Sequence, residues 1–290
     1  IKMPFAMCWA NENWTRRWDG NNHDVLLEQI YSDDDAEAFI AYLLPFFKDP
    51  RYIRIDGRPI LLIYRPADLP DQINYLEIWN RSCGQAGITR PYYIGLLTRG
   101  ANDPVELGMD AGLERVLHDW GGGHIPEVMN QLDCYQPLHG SVLNYQDVAN
   151  FYESNRPKQN GTVFRSIVPQ WDNTPRYGNR ANVVHGSTPD RYEKWLTHLV
   201  AETREHMSGD ERLIFINAWN EWAEGAHLEP DTQHGYAYLN ATGRALYGPD
   251  AGCFPKLQTS QHVVIQVSQE VREAYGYQWS LVIQALKSLR

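Results

Sequence analysis

The chain has 290 residues, 43% of them hydrophobic and 21% charged, with a formal charge of −10. That length gives room for one large domain or two modest ones around an ample core. The acidic balance, with no basic stripe beyond Arg16-Arg17, argues against a nucleic-acid binder, and no apolar run is long enough for a membrane-spanning helix.

Residues 3–9 form a short apolar run that predicts a buried strand. Ser32 ahead of Asp33, Asp34 and Asp35 is a capped, acidic helix start, and Phe39, Leu43, Leu44 and Phe47 continue at helical spacing. Residues 59–64 are the clearest strand, entered from an Asp56-Gly57 turn. Residues 71–86 predict the next helix, stopped by Gly87, and residues 92–97 another strand. Short strands are expected at 112–117 and 133–138, on either side of Gly121-Gly122-Gly123, followed by a helix at 146–153. Residues 163–169 predict a strand, 189–207 an amphipathic helix capped by Thr188, 213–217 a strand and 236–246 the closing helix.

This repeated βα pattern with continuous apolar strands implies a parallel sheet of six or seven strands. Polar, Trp-rich segments come directly after strands, as the active-face loops of a barrel do. The expected fold is an α/β (β/α)8 TIM-type barrel over residues 1–248, lacking its first one or two strands in this chain. Residues 249–290 are expected to form a linker and a C-terminal helical extension. A doubly wound open sheet is the alternative. The chain opens at Ile1 and enters a strand almost at once, so upstream chain or other domains are expected as partners. No signal peptide is visible at the start, and the compartment is left unassigned.

Ten Trp and 17 Tyr stand against 8 Phe, an excess of amphipathic aromatics that suits a polar, ring-shaped ligand and serves equally to fill a core. The cysteines Cys8, Cys83, Cys134 and Cys253 lie far apart, without CxxC or Cys/His ligand spacing. No metal and no cofactor are therefore expected, and Cys8, within an apolar run, is expected as a buried small hydrophobe.

The densest chemistry sits after the last strand, in Asn217-Ala218-Trp219-Asn220-Glu221-Trp222-Ala223-Glu224-Gly225. Glu221 and Glu224 are three residues apart, so one helical turn would put both carboxyls on one face. Two such close acids cannot both ionise freely, which leaves an acid beside a base, as glycosidic cleavage requires. Indoles stack on the apolar faces of sugar rings, so Trp219 and Trp222 are candidate binding residues together with Asn220. His227 is a candidate for orienting a carboxylate or binding a hydroxyl, or else a scaffold histidine.

Two further loops repeat the pattern. After the first strand, Trp9, Asn11, Glu12, Asn13, Trp14 and Arg16 are candidate substrate contacts, within a cluster that continues through Arg17-Trp18-Asp19-Gly20. After another strand, Trp171, Asp172 and Asn173 are candidates for stacking and hydroxyl binding, although Asp and Asn also cap turns. Tyr64 and Arg65 end a strand and face the same mouth in a barrel; His118-Asp119-Trp120 is a weaker group of the same kind.

The segments from Cys8 to Gly20, from Trp171 to Arg176 and from Asn217 to Gly225 resemble the WbsX-type family, catalogued as glycosyltransferase-like and related to glycoside hydrolase family 99. Tyr31-Ser32-Asp33 and Lys48-Asp49-Pro50-Arg51-Tyr52-Ile53 resemble it too, and the likeness covers roughly residues 1 to 247. It implies a (β/α)8 barrel acting on oligo- or polysaccharide, often in bacterial surface-glycan assembly. By resemblance, Glu224 is expected as general acid/base on the leaving oxygen, and Glu221 as the base that deprotonates the sugar's own 2-hydroxyl in a retaining mechanism. Ala223 stands where the characterised hydrolases usually carry His, and residues 113–140 depart from the usual pattern. A glycosyltransferase of surface-polysaccharide biosynthesis is the alternative, and a non-catalytic carbohydrate-binding barrel the second. The Asp33-Asp34-Asp35 run has the letters of a metal-diphosphate motif but sits at a helix start, where acids serve as caps.

Overall fold

Six strands run parallel and lie side by side in chain order: β1 (Met7–Trp9), β2 (Arg58–Ile63), β3 (Tyr92–Leu97), β4 (Ala111–Glu114), β5 (Thr162–Ile167) and β6 (Ile214–Ile216). A seventh, Arg54–Ile55, pairs antiparallel with the start of β2. The computed structural model describes residues 3–16, 24–98, 103–117, 123–132, 138–156 and 160–251, all within a unit spanning Ile1–Phe254. Residues 252–290 of the linker and helical extension expected at 249–290, Cys134 and Cys253, His118-Asp119-Trp120, Arg17-Trp18-Asp19-Gly20 and most of the strand expected at 133–138 lie outside the described residues.

The helices are α1 (Asp33–Phe47), α2 (Gln72–Gln85), α3 (Tyr145–Ser154), α4 (Pro189–His206) and α5 (Ala237–Tyr247). Four of them start as their sequences dictate. The side chains of Ser32, Asp71, Asn144 and Thr188 each accept a backbone N–H of the first turn, and Pro189 begins α4, where no N–H is required.

The pleat of the strands sorts side chains onto two faces. Leu61, Ile63 and Tyr93 pack with Ile40, Leu43 and Phe47 of α1 and with Tyr75 and Trp79 of α2. Their neighbours Ile60, Leu62, Tyr92, Ile94 and Leu96 point the other way and pack with Leu113 and Phe164. That second face is concave. The Tyr92 and Phe164 ring centroids are 6.4 Å apart although β4 lies between their strands, and Phe164 approaches Phe215 of β6 at 5.9 Å. Sequential strand order and a curled inner face describe a partial barrel, whereas a doubly wound sheet reverses its order at a switch point. Among the described residues β1 and β6 each have one neighbour in this sheet, so a closed barrel is not seen.

A second core joins α3, α4 and α5 to Ile167 and Val168 at the end of β5. Beside it, Arg165 of β5 is buried with Glu114, to which it donates at 2.8 Å, and also donates to the half-buried Glu202 of α4 at 2.7 Å. Cys8 corrects the expectation of burial. Its neighbours Met7 and Trp9 pack against the helical side, and Cys8 is exposed. No helix among the described residues is long and apolar enough to cross a membrane.

Candidate active site

The segments that follow β1, β2, β4, β5 and β6 meet at the C-terminal ends of the strands and line an open cavity of about 690 Å³. Glu12, Asn13, Trp14, Tyr64, Arg115, Arg176, Asn220, Glu221 and Glu224 form part of its wall.

The glutamate loop is built by a short hairpin. Asn220–Glu221 pairs antiparallel with Ala226–His227, and Trp222–Glu224 makes one 3-10 turn between them. Gly225 closes that turn in the left-handed region, with φ of 60°. A β-carbon there would come within 2.9 Å of the Asp172 backbone nitrogen. Glycine is therefore required twice over, by its φ and by the close approach of the Asp172 segment.

That neighbouring segment supplies the cation between the two acids. A small sheet, in which Val183–His185 joins Val142–Asn144 to Trp171–Asp172, holds the chain after β5. The Asp172 carboxylate accepts the Thr174 N–H at 2.9 Å, and the Asn173 side chain accepts the Asn182 N–H at 2.8 Å. Together they shape the single turn Thr174–Tyr177, which presents Arg176. One guanidinium nitrogen of Arg176 donates to Glu224 Oε1 at 2.8 Å and the other to Glu221 Oε1 at 2.9 Å. The two carboxyls are thus spanned by one rigid fork. Burial pushes the Glu224 carboxyl above its ordinary range; Arg176 and more weakly Arg115 pull it back, while Glu221 adds to the rise. The expected cause of the rise, like charges, is present but secondary to burial.

The candidates predicted from sequence divide into three groups. Glu12, Asn13, Trp14, Tyr64, Asn220, Glu221 and Glu224 line the cavity. Asn13 also accepts the Gln29 N–H at 2.8 Å, fastening its loop to the strand pair formed by Trp14–Thr15 and Val25–Leu27, and Trp14 is 60% exposed.

A second group stands behind the wall. Asn11 is fully buried: its side chain accepts from the Arg65 backbone N–H at 2.7 Å and donates to the Arg65 carbonyl at 2.8 Å. Arg65 is buried too, donating to Glu12 at 3.1 Å and to Thr98 at 3.0 Å. Asp172 and Asn173 serve the turn already described. His227 is buried, 3.1 Å from Asp231, and stacks on Trp222 at 3.8 Å between ring centroids. Trp222 in turn donates from its indole nitrogen to Glu229 at 2.6 Å.

The third group lies apart from the wall. Trp9 packs with Phe39 at 4.5 Å and Trp79 at 5.6 Å on the helical side. Trp171 packs against the core of α3, α4 and α5. Trp219 is exposed, and Arg16 lies 3.9 Å from Asp24 at the surface. Sequence reasoning missed Arg115, which nothing local distinguishes, and left Arg176 without a role although it ends the segment from Trp171 to Arg176. Among the described residues no group of three or more His, Cys, Asp or Glu side chains is placed to hold a metal ion.

A sequence model of the family described as "Glycosyltransferase WbsX" matches residues 1–242. The chain belongs to the WbsX family. Two proteins, each named "Uncharacterized protein WxcX", from two strains of Xanthomonas campestris pv. campestris, are 39% and 38% identical to it over 247 residues. That stretch is 85% of this WbsX-family chain and 35% of each relative, so the chain spans about a third of the length of the curated relatives it matches. Among solved structures, a "Glycoside hydrolase-like protein" superposes with a TM-score of 0.51 at 12% identity, over 73% of this chain and 60% of that one, a likeness of fold alone. The GH99 endo-alpha-mannosidase from Bacteroides thetaiotaomicron gives a TM-score of 0.41 at 16% identity, over 69% of this chain and 53% of that one.

Proposed function

We propose that the chain carries the catalytic site of a carbohydrate-active enzyme that cleaves a complex, bacterial-type polysaccharide with retention of configuration. The observation that carries this proposal is the pair Glu221 and Glu224, spanned by Arg176 in the wall of a cavity large enough for sugar rings. A raised carboxyl suits a proton donor, and Glu224 has one. Glu224 protonates the glycosidic oxygen as the bond to the anomeric carbon breaks. Glu221 takes the proton from the substrate's 2-hydroxyl, whose oxygen closes onto the anomeric carbon. Glu224, now a carboxylate, then deprotonates the water that reopens this ring, and Glu221 returns its proton. Arg176 holds both groups in register and stabilises whichever is ionised. Trp14 offers an exposed face for stacking, and Asn13, Tyr64 and Asn220 offer hydrogen bonds to hydroxyls.

The family description favours a second possibility, transfer of a sugar from a nucleotide donor in surface-polysaccharide biosynthesis. The Asp33-Asp34-Asp35 run gives it little support, because these acids begin α1: Ser32 caps Asp35, and Asn74 donates to Asp33 at 2.7 Å. Incubation with a panel of bacterial polysaccharides, with the anomeric configuration of the first product read by NMR, tests the proposal. A product of retained configuration supports it. Turnover of a nucleotide sugar without polysaccharide cleavage assigns the cavity to a transferase.

A further inference from the structure

Among the described residues, three of the acids in the cavity wall are paired with arginine. Glu12 is engaged by Arg65, and Glu221 and Glu224 share Arg176. Glu28 also lines the cavity and is exposed. Arg115, carried just past the end of β4, also lines the cavity, yet no carboxylate among the described residues forms an ion pair with it. Its contacts are with a neutral partner: it donates to the Tyr64 hydroxyl, and its guanidinium carbon lies 4.7 Å from the centre of that ring. Arg65 lies against the same ring, at 4.5 Å. Tyr64 therefore touches two guanidiniums, one tied down by Glu12 and Thr98 and the other lining the cavity.

We infer that Arg115 is the specificity determinant for an acidic sugar, one whose ring carries a carboxylate beside the bond that Glu221 and Glu224 act on. An arginine with one donor committed to a tyrosine keeps a planar fork for the two oxygens of a carboxylate. Tyr64 fixes that fork in advance, so little ordering remains when the sugar arrives. A singly charged carboxylate fits this wall better than a doubly charged phosphate, because Glu12, Glu221 and Glu224 surround the same space and repulsion grows with ligand charge. This inference rests on the cavity being a glycan site and goes further by naming the class of sugar.

The test measures binding of the full chain to acidic bacterial oligosaccharides and to the same oligosaccharides after chemical reduction of their carboxyl groups to alcohols, by titration calorimetry. The wild-type chain is expected to bind the acidic form about tenfold more tightly or better, as a charge-assisted hydrogen-bond pair provides. In Arg115→Gln the ratio of the two affinities is expected to fall to about one, and Arg115→Lys is expected to keep part of it. A ratio near one in the wild type, or a wild-type ratio unchanged in Arg115→Gln, overturns the inference while the glycan site stands. Failure to bind either form overturns both. Loss of preference after enzymatic removal of phosphate, but not after carboxyl reduction, also overturns it and assigns Arg115 to a phosphorylated sugar.

Discussion

Asn11 clasps the backbone of Arg65 from both sides, accepting its N–H at 2.7 Å and donating to its carbonyl at 2.8 Å. Two strand-end loops, after β1 and β2, are joined by this one buried side chain. The join also places the Arg65 guanidinium against Glu12, so the cavity wall inherits its shape from Asn11. In Asn11→Ala the Arg65 N–H loses its partner away from water, while the Arg65 carbonyl keeps the Asp68 N–H at 3.1 Å. The expected loss is about 1–3 kcal/mol of folding stability, measured by urea denaturation. Asn11→Asp restores only the acceptor and should recover part of the loss.

Arg165 is expected to matter more for stability than for activity. It is buried and faces Glu114 and Glu202, away from the cavity. Burial raises the Glu114 carboxyl, and Arg165 is the first group opposing that rise. Replacing Arg165 by Met leaves the buried Glu114 without its cation, although Glu202 keeps Arg156 at 2.6 Å, and should cost about 3–5 kcal/mol. Adding Glu114→Gln to the same chain should recover a large part, a coupling read from a double-mutant cycle.

Gly225→Ala tests the link between the two loops that carry Glu224 and Arg176. A left-handed φ costs an alanine about 1–2 kcal/mol. The new methyl also meets the Asp172 backbone at 2.9 Å, so one loop must move. Glycan turnover should fall more than thermal stability, because the Arg176 fork requires both carboxyls at hydrogen-bond distance. Equal turnover in the variant would show that the fork tolerates displacement.

The Glu224 carboxyl gives a pH signature with a definite sign. Its folded value is raised above the unfolded one, which lies near 4.3. The protonated form is thus favoured by folding. Its contribution to stability is full below the unfolded value and is lost as pH rises through the folded value. Denaturation across that window should show wild type losing stability relative to Glu224→Gln as pH rises. A difference that is flat with pH would show that the Glu224 carboxyl is not raised.

Much of the scaffold was legible in the sequence because its signals are local. Apolar runs marked β2, β3 and β5, the Thr188-Pro189 start marked α4, and polar clusters directly after strands marked the face that carries the cavity. The glutamate pair was legible for the same reason. Facing was not. Trp9 ends a three-residue strand whose period-2 alternation decides everything, and it falls on the helical side with Phe39 and Trp79. Asn11 and Asn173 look like ligand contacts in sequence, but their amides complete backbone hydrogen bonds. Arg115 and Arg176 act through partners about 50 residues away in the chain, Tyr64 and the two glutamates, and no local spacing encodes such distances.

Glu224 is proposed to deliver the proton to the departing sugar. Wild type and Glu224→Gln are compared on a glycan that the wild type cleaves, and on an aryl glycoside of the same sugar whose phenolate leaves without protonation. The variant is expected to lose about 10²–10⁴-fold on the natural glycan and far less on the aryl glycoside. Equal rates for the two proteins on the natural glycan would contradict it.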